Sequence, residues 1–368
     1  MNKAIKCALS TASICAVSSL ALLGCNQKQP TKPESEKVQL DDLASTDING
    51  TFTNSLNNSG PDPWIQWYNG YWYLAATTWG DAGVGLTMRK AKSINELKHA
   101  EPVQIWQDST ADRCCNFWAP EFFLLDGPDG PRWYGYFTGG APGEDYVNTQ
   151  FSLVIESEGT DPLGPYIYKG KLVERNSLDA TVLKLNEKLY AVYSVWNETQ
   201  DIAIKEMSSP WQTVGTETVI TMPTLTWEIQ DGTVNEGPVA LQRNGKTWII
   251  YSASACWGPN YKLGMLEYNG GDPIDKTSWD KNPTPLFERQ DDINVFGPGH
   301  NVFFKSPDGN EDWMAYHAND KESDVCDMGR TPRIQRFTWN EDGTPNFGKP
   351  VAPDLPITLP SGDPGNKN

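Results

Sequence analysis

The sequence predicts an all-β protein, a single catalytic domain folded as a five-bladed β-propeller, on three observations. A short phrase recurs five times: a Gly- or Asn-containing turn, an aromatic pair or near-pair, then an apolar strand. The copies are NGYWYLAATT from Asn69, DGPRWYGYFT from Asp129, NEKLYAVYS from Asn186, NGKTWIIYSAS from Asn244 and GNEDWMAYHA from Gly309. Aligned on Tyr73, Tyr134, Tyr190, Trp248 and Trp313, they stand 61, 56, 58 and 65 residues apart. So regular a period, filled with short strands, is one supersecondary unit repeated, and a unit of this kind is a propeller blade. Each copy is also preceded by a second apolar strand carrying one strongly polar residue near its start. The third observation is size: a propeller is among the all-β folds that reach 368 residues undivided.

The elements follow in chain order. Residues 1–24 read as a lipoprotein signal peptide: Lys3 and Lys6 form a basic start, and the apolar stretch from Cys7 to Leu23 is too short and too interrupted for a membrane span. It ends in Leu22-Leu23-Gly24-Cys25, which resembles the bacterial lipobox, so Cys25 is the expected lipidation site. Residues 25–48 carry that cysteine and a polar, Pro- and Lys-containing tether. Asn26 is not Asp, which directs the expectation toward the outer membrane or cell surface rather than inner-membrane retention, with the periplasm as the other compartment. The propeller occupies residues 49–360, and residues 361–368 read as a disordered tail. An exported chain leaves Cys114, Cys115, Cys256 and Cys326 as an even set for disulfides, with Cys114–Cys115 either a vicinal bridge or separate partners of the other two.

The polar residues that open the first strand of each repeat are Asp62, Glu121, Asp179, Glu236 and His300. First strands line a propeller's axis, so four carboxylates and one imidazole are expected around one cavity. Like charges crowded together push pKa values apart, which is how acid–base pairs arise. The net charge of −17, without a Lys/Arg cluster, argues against nucleic acid as partner. Fifteen Trp and fourteen Tyr suit blade packing and also stacking on sugar faces.

These motifs carry a family resemblance. GPDPW, WAPE, LDATVL, NEGP, GPGHN and GRTPRIQ occur in this order between about Thr51 and Val351, and the chain resembles glycoside hydrolase family 43. The resemblance implies hydrolysis of arabinose- or xylose-containing glycans with inversion. It makes Asp62 the general base, Glu236 the general acid, and Asp179 the residue that orients the acid and raises its pKa. It gives Arg330 in GRTPRIQ a sugar-clamping role, with Arg333 as second choice and Gln335 nearby. His300 in this family often helps hold a central cation through water, so a calcium ion at the propeller centre is an expectation. No organic cofactor is expected. Phe117, Trp118 and Glu121 are candidates for the wall of the terminal-sugar subsite, and Trp79 and Trp257 for the rim.

The opening segment and the long closing one resemble the exo-acting α-L-arabinofuranosidase branch, acting on arabinan or arabinoxylan. The alternatives are a β-xylosidase, an endo-arabinanase, or a sugar-binding propeller that has lost catalysis. A β-sandwich domain after the propeller, usual among the xylosidases, is not expected here. A monomer is expected.

Overall fold

The structure is a computed structural model that describes residues 50–80 and 83–365. The expected signal peptide, Cys25 and the tether lie outside the described residues. Five four-stranded antiparallel sheets succeed one another along the chain, each built from consecutive strands. Blade I runs from strand Trp64–Tyr68 to Val103–Trp106, blade II from Cys115–Gly127 to Tyr166–Lys171, and blade III from Ser177–Leu185 to Gln212–Thr221. Blade IV runs from Asn235–Arg243 to Trp279–Lys281, and blade V from Phe296–Lys305 to Pro345–Asn346. The predicted five-bladed propeller is therefore the architecture.

Each blade opens with a hairpin, and the turn residues explain why. Asn69-Gly70 and Asn244-Gly245 both have positive φ at the two central positions, as a type I′ turn requires. Asn186-Glu187 adopts the same pair of left-handed conformations. The five aligned aromatics all lie on the second strand of their hairpin and all are buried. Apolar faces of neighbouring blades then meet, as where Tyr134 and Val154 of blade II pack with Ala180, Val182 and Ala191 of blade III. This burial supplies the main cohesive energy between blades.

Among the described residues, no blade borrows a strand from the other end of the chain. The ring is instead fastened by a two-stranded ribbon pairing Thr51–Phe52 with Ile357–Thr358. The Asn54 side chain adds two hydrogen bonds to the Ile334 backbone, both 3.0 Å long. Residues 361–365 differ from the expected disordered tail. The Asp363 carboxylate accepts from the Trp72 indole N–H at 2.7 Å and the Ile94 amide at 3.0 Å, which holds this segment on blade I.

Candidate active site

The five-fold phase of the site is written in the backbone. At one equivalent position near the start of each inner strand the backbone is left-handed: Asp62 (φ 55°), Ala119 (46°), Asp179 (55°), Gly237 (53°) and His300 (48°). In every blade the aromatic anchor pairs with the residue four positions beyond it, namely Gln66, Phe123, Leu183, Leu241 and Phe304. The equivalent residues of blades II and IV are thus Ala119 and Gly237, not the expected Glu121 and Glu236. Such a residue interrupts the ladder and re-aims its side chain. Non-glycine residues are costly in this region and persist where surroundings hold them, commonly at functional sites. Gly237 has a further reason to be glycine: a Cβ there would stand 3.1 Å from the His300 ring.

The surroundings that hold these residues follow the same symmetry. The amide of the left-handed residue is taken by a side chain four positions past the aromatic anchor of the preceding blade. Ala119 donates to Thr77 Oγ1 (2.9 Å), Asp179 to Thr138 Oγ1 (3.1 Å), His300 to Ser252 Oγ (2.8 Å) and Asp62 to His317 Nδ1 (3.1 Å). At the junction between blades III and IV the rule is broken. Gly237 donates instead to the Asp179 carboxylate at 3.1 Å, and the buried Ser194 hydroxyl has no protein partner.

A cavity of about 460 Å³ lies over these residues, with walls from all five blades. Asp62, Asp179, Glu236, His300 and Arg330 line it, as do Trp79, Trp118 and Trp257. Trp79, Trp118 and Tyr146 make one aromatic wall by edge-to-face contacts, with Trp118 and Tyr146 centroids 4.8 Å apart. Across from it stand the exposed Trp257 and the Cys256–Cys326 disulfide. The other disulfide is the vicinal one, Cys114–Cys115.

Asp62 Oδ1 stands 3.1 Å from Arg330 Nη1, 3.1 Å from His317 Nδ1 and 3.3 Å from His300 Nδ1. Thr77 donates its hydroxyl to Oδ2. Burial alone would raise the Asp62 pKa, but Arg330 and the two imidazoles outweigh it and hold this carboxyl well below the usual range. His317 is pushed down to about 3 by burial and then by the Arg330 charge, so its ring is neutral. Asp179 moves the other way. Burial pushes its carboxyl well up, and the neighbouring Glu236 and Asp62 charges add to the rise. Glu236 accepts from Gln200 Nε2 at 2.7 Å and from the Tyr261 hydroxyl at 2.8 Å.

Four sequence candidates stand away from the cavity. Phe117 packs edge-on to Phe137 and against Trp106, as core. Gln335 donates to the Phe347 and Lys349 carbonyls and accepts from Tyr316 and Val351, tying down the end of blade V. Glu121 is buried two residues beyond Ala119 and accepts from Thr181 at 2.7 Å; burial pushes it up to about 8. Arg333 is fully buried and pairs with Asp320 at 2.6 Å. The sequence reading missed Thr77, His317, Gln200 and Tyr261. The first two could have been found four residues past their aromatic anchors; the other two carry no such mark.

The described residues contain no group of three or more His, Cys, Asp or Glu able to hold a metal. Calcium prefers six to eight oxygen ligands, and His300 offers one ring nitrogen beside the Arg330 cation. The residues do not form a calcium cage, and no chemical step below runs through an ion.

A five-bladed propeller with carboxylates and tryptophans around an axial cavity defines a class of carbohydrate-active propellers. The chain belongs to glycosyl hydrolases family 43, whose model matches residues 52–345. It is 36% identical over 317 residues to the extracellular exo-α-(1→5)-L-arabinofuranosidase of Streptomyces avermitilis, covering 82% of this chain and 64% of that protein. It is 33% identical to α-L-arabinofuranosidase 43 of Humicola insolens, covering 84% of this chain and 65% of that protein. Among solved structures, the α-L-arabinofuranosidase from Lactobacillus brevis superposes with a TM-score of 0.75 at 34% identity, covering 83% of this chain and 98% of that one. The chain spans about two-thirds of the length of the first two relatives.

Proposed function

We propose that the protein is an exo-acting α-L-arabinofuranosidase that removes terminal arabinofuranosyl residues from arabinan or arabinoxylan with inversion. The observation that carries this reading is the electrostatic split within one walled cavity. Asp62 is held ionised by Arg330, while Asp179, beside Glu236, lies where burial favours retention of a proton. Inversion needs this division: a carboxylate that draws a proton from water, and an acid on the other face of the sugar that protonates the leaving oxygen. Asp62 is the base and Glu236, which faces the cavity, the acid. Asp179 holds the Gly237 amide beside Glu236 and carries a proton the pair can share. Walls on all sides suit a chain end rather than a passing polymer, and the arabinofuranosidase names of the relatives support the choice of sugar.

The test is a screen of purified protein against aryl arabinofuranoside, aryl xyloside and linear arabinan. Monomer release from arabinan, with the opposite anomer appearing first by NMR, is the expected result. Preference for the xyloside, or oligomeric products, overturns the sugar or the mode. Absence of any turnover with retained arabinose binding returns the protein to a binding role. Prolonged chelation tests the expected calcium ion.

The same reading places the enzyme outside the cytoplasm, as a monomer tethered to a membrane through lipid on Cys25, with arabinose-containing polysaccharide as its partner. The name of the extracellular Streptomyces avermitilis relative supports export. Labelled fatty acid incorporated by the full chain and lost in Cys25→Ser is the expected outcome; release of the unmodified chain into the medium would refute it.

A further inference from the structure

Arg330 reaches the cavity at the end of a loop that is mostly exposed from Asp320 to Gly329. Two ion pairs at its start, Arg333 with Asp320 and Arg289 with Glu322, are ten and eight residues before Arg330. Close to Arg330 the attachments are different in kind. Cys326 is bonded to Cys256 of blade IV, across the wall of the cavity. The next residue, Asp327, accepts from Arg330 Nε through its backbone oxygen at 3.0 Å. Arg330 Nη1 then reaches Asp62 Oδ1 at 3.1 Å. The blade IV end of the bond is firmly seated: Ala255 is fully buried, and Trp257 Nε1 donates to the Asp231 carbonyl at 2.8 Å.

We propose that the Cys256–Cys326 disulfide is a positioning strut for Arg330, and through it for the charge state of the Asp62 base. A cross-link restricts the conformations of an exposed loop that few noncovalent contacts hold. The guanidinium must stay within hydrogen-bond distance of one buried carboxylate, and small displacements at such sites are expensive in rate. Without the bond, Asp327 is free to carry Arg330 Nε away from Asp62. Burial then acts on Asp62 with less opposition, and the carboxylate is lost at a higher pH. The other charged or titratable groups facing Asp62 are His300 and His317 of blade V, Asp179 of blade III and Tyr261 of blade IV; the bond attaches directly to none of them.

The inference rests on the base role proposed above for Asp62. The test is the Cys256→Ser/Cys326→Ser variant, assayed on aryl arabinofuranoside across pH. The acid limb of kcat/KM is expected to move up by about one unit, so the loss is confined to acid pH, approaching about tenfold below the parent's limb and vanishing toward neutrality. Glu322→Ala, which removes a different attachment of the same loop, leaves the limb in place. A lowered Tm with an unmoved limb, or a loss equal at every pH, overturns the strut. If the double variant does not fold, Cys114→Ser/Cys115→Ser protein treated with reductant opens this bond alone and gives the same readout. A measurement without turnover separates the strut from the function. Asp62's low folded pKa contributes stability that is lost as pH falls, and the variant has less of it to lose, so its Tm deficit should narrow as pH falls from 5 toward 3. A constant deficit counts against the strut whatever the substrate.

Discussion

The junction between blades V and I and the junction between blades III and IV solve the same backbone problem in opposite ways. At the first, an imidazole takes the amide of Asp62, so the Asp62 carboxylate is free to gather Arg330 and His300. At the second, the Asp179 carboxylate itself takes the Gly237 amide and faces Glu236 with no cation among its named neighbours. The same fold position therefore yields a strongly ionised carboxylate on one side and a proton-retaining one on the other. The partners at the two junctions, not a difference between the two aspartates, separate the ionised carboxylate from the proton-retaining one beside Glu236.

The largest effect should come from removing the ionised side. Asp62→Asn keeps shape but cannot take a proton from water, so kcat/KM should fall by about a thousandfold on every substrate, consistent with general-base catalysis. Comparable rates would dissolve the contrast between the two ends. Glu236→Gln should cost about a hundredfold on arabinan but far less on an aryl glycoside whose leaving group needs no proton. Equal losses on both would remove the acid from that end.

Arg330→Met tests what creates the ionised side. The buried Asp62 loses its cation, so stability should drop by about 3–5 kcal/mol by urea denaturation at pH 7. Asp62's depressed pKa contributes stability above its unfolded pKa that is lost as pH falls; the variant has less of it to lose, so its deficit should narrow toward acid pH. A variant as stable as the parent would mean the imidazoles suffice.

The smallest effect is expected at Glu121, behind the proton-retaining end. Its pKa is raised to about 8, so its folding contribution is present below its unfolded value and lost as pH rises toward 8. Glu121→Gln keeps the Thr181 hydrogen bond without a titrating proton. Its Tm should match the parent near pH 5 and exceed it at pH 8. Parallel curves at both values would show that Glu121 is already ionised in the fold.

Much of the site was legible because its residues sit in contiguous motifs: Asp62, Asp179, Glu236, His300 and Arg330 all line the cavity as expected. The misreadings share one cause. A carboxylate near a strand start is visible in a sequence, whereas the left-handed bend that aims it is not, so Glu121 was placed with Asp62 although Ala119 is its counterpart. Phe117 likewise adjoins the cavity residue Trp118 in sequence, and strand alternation sends it into the core, while Gln335 lies five positions past Arg330, on the strand that follows it.

The sequence by itself determined the number of blades, their hairpin turns and the set of chemical groups brought to the axis, because these depend on local period and turn chemistry. Only the tertiary structure decided which carboxylate stays charged, which disulfides form and which residues touch the cavity. Those outcomes depend on burial and on partners such as Arg330 and Asp62, 268 positions apart in the chain, where distance in sequence carries no information about distance in space.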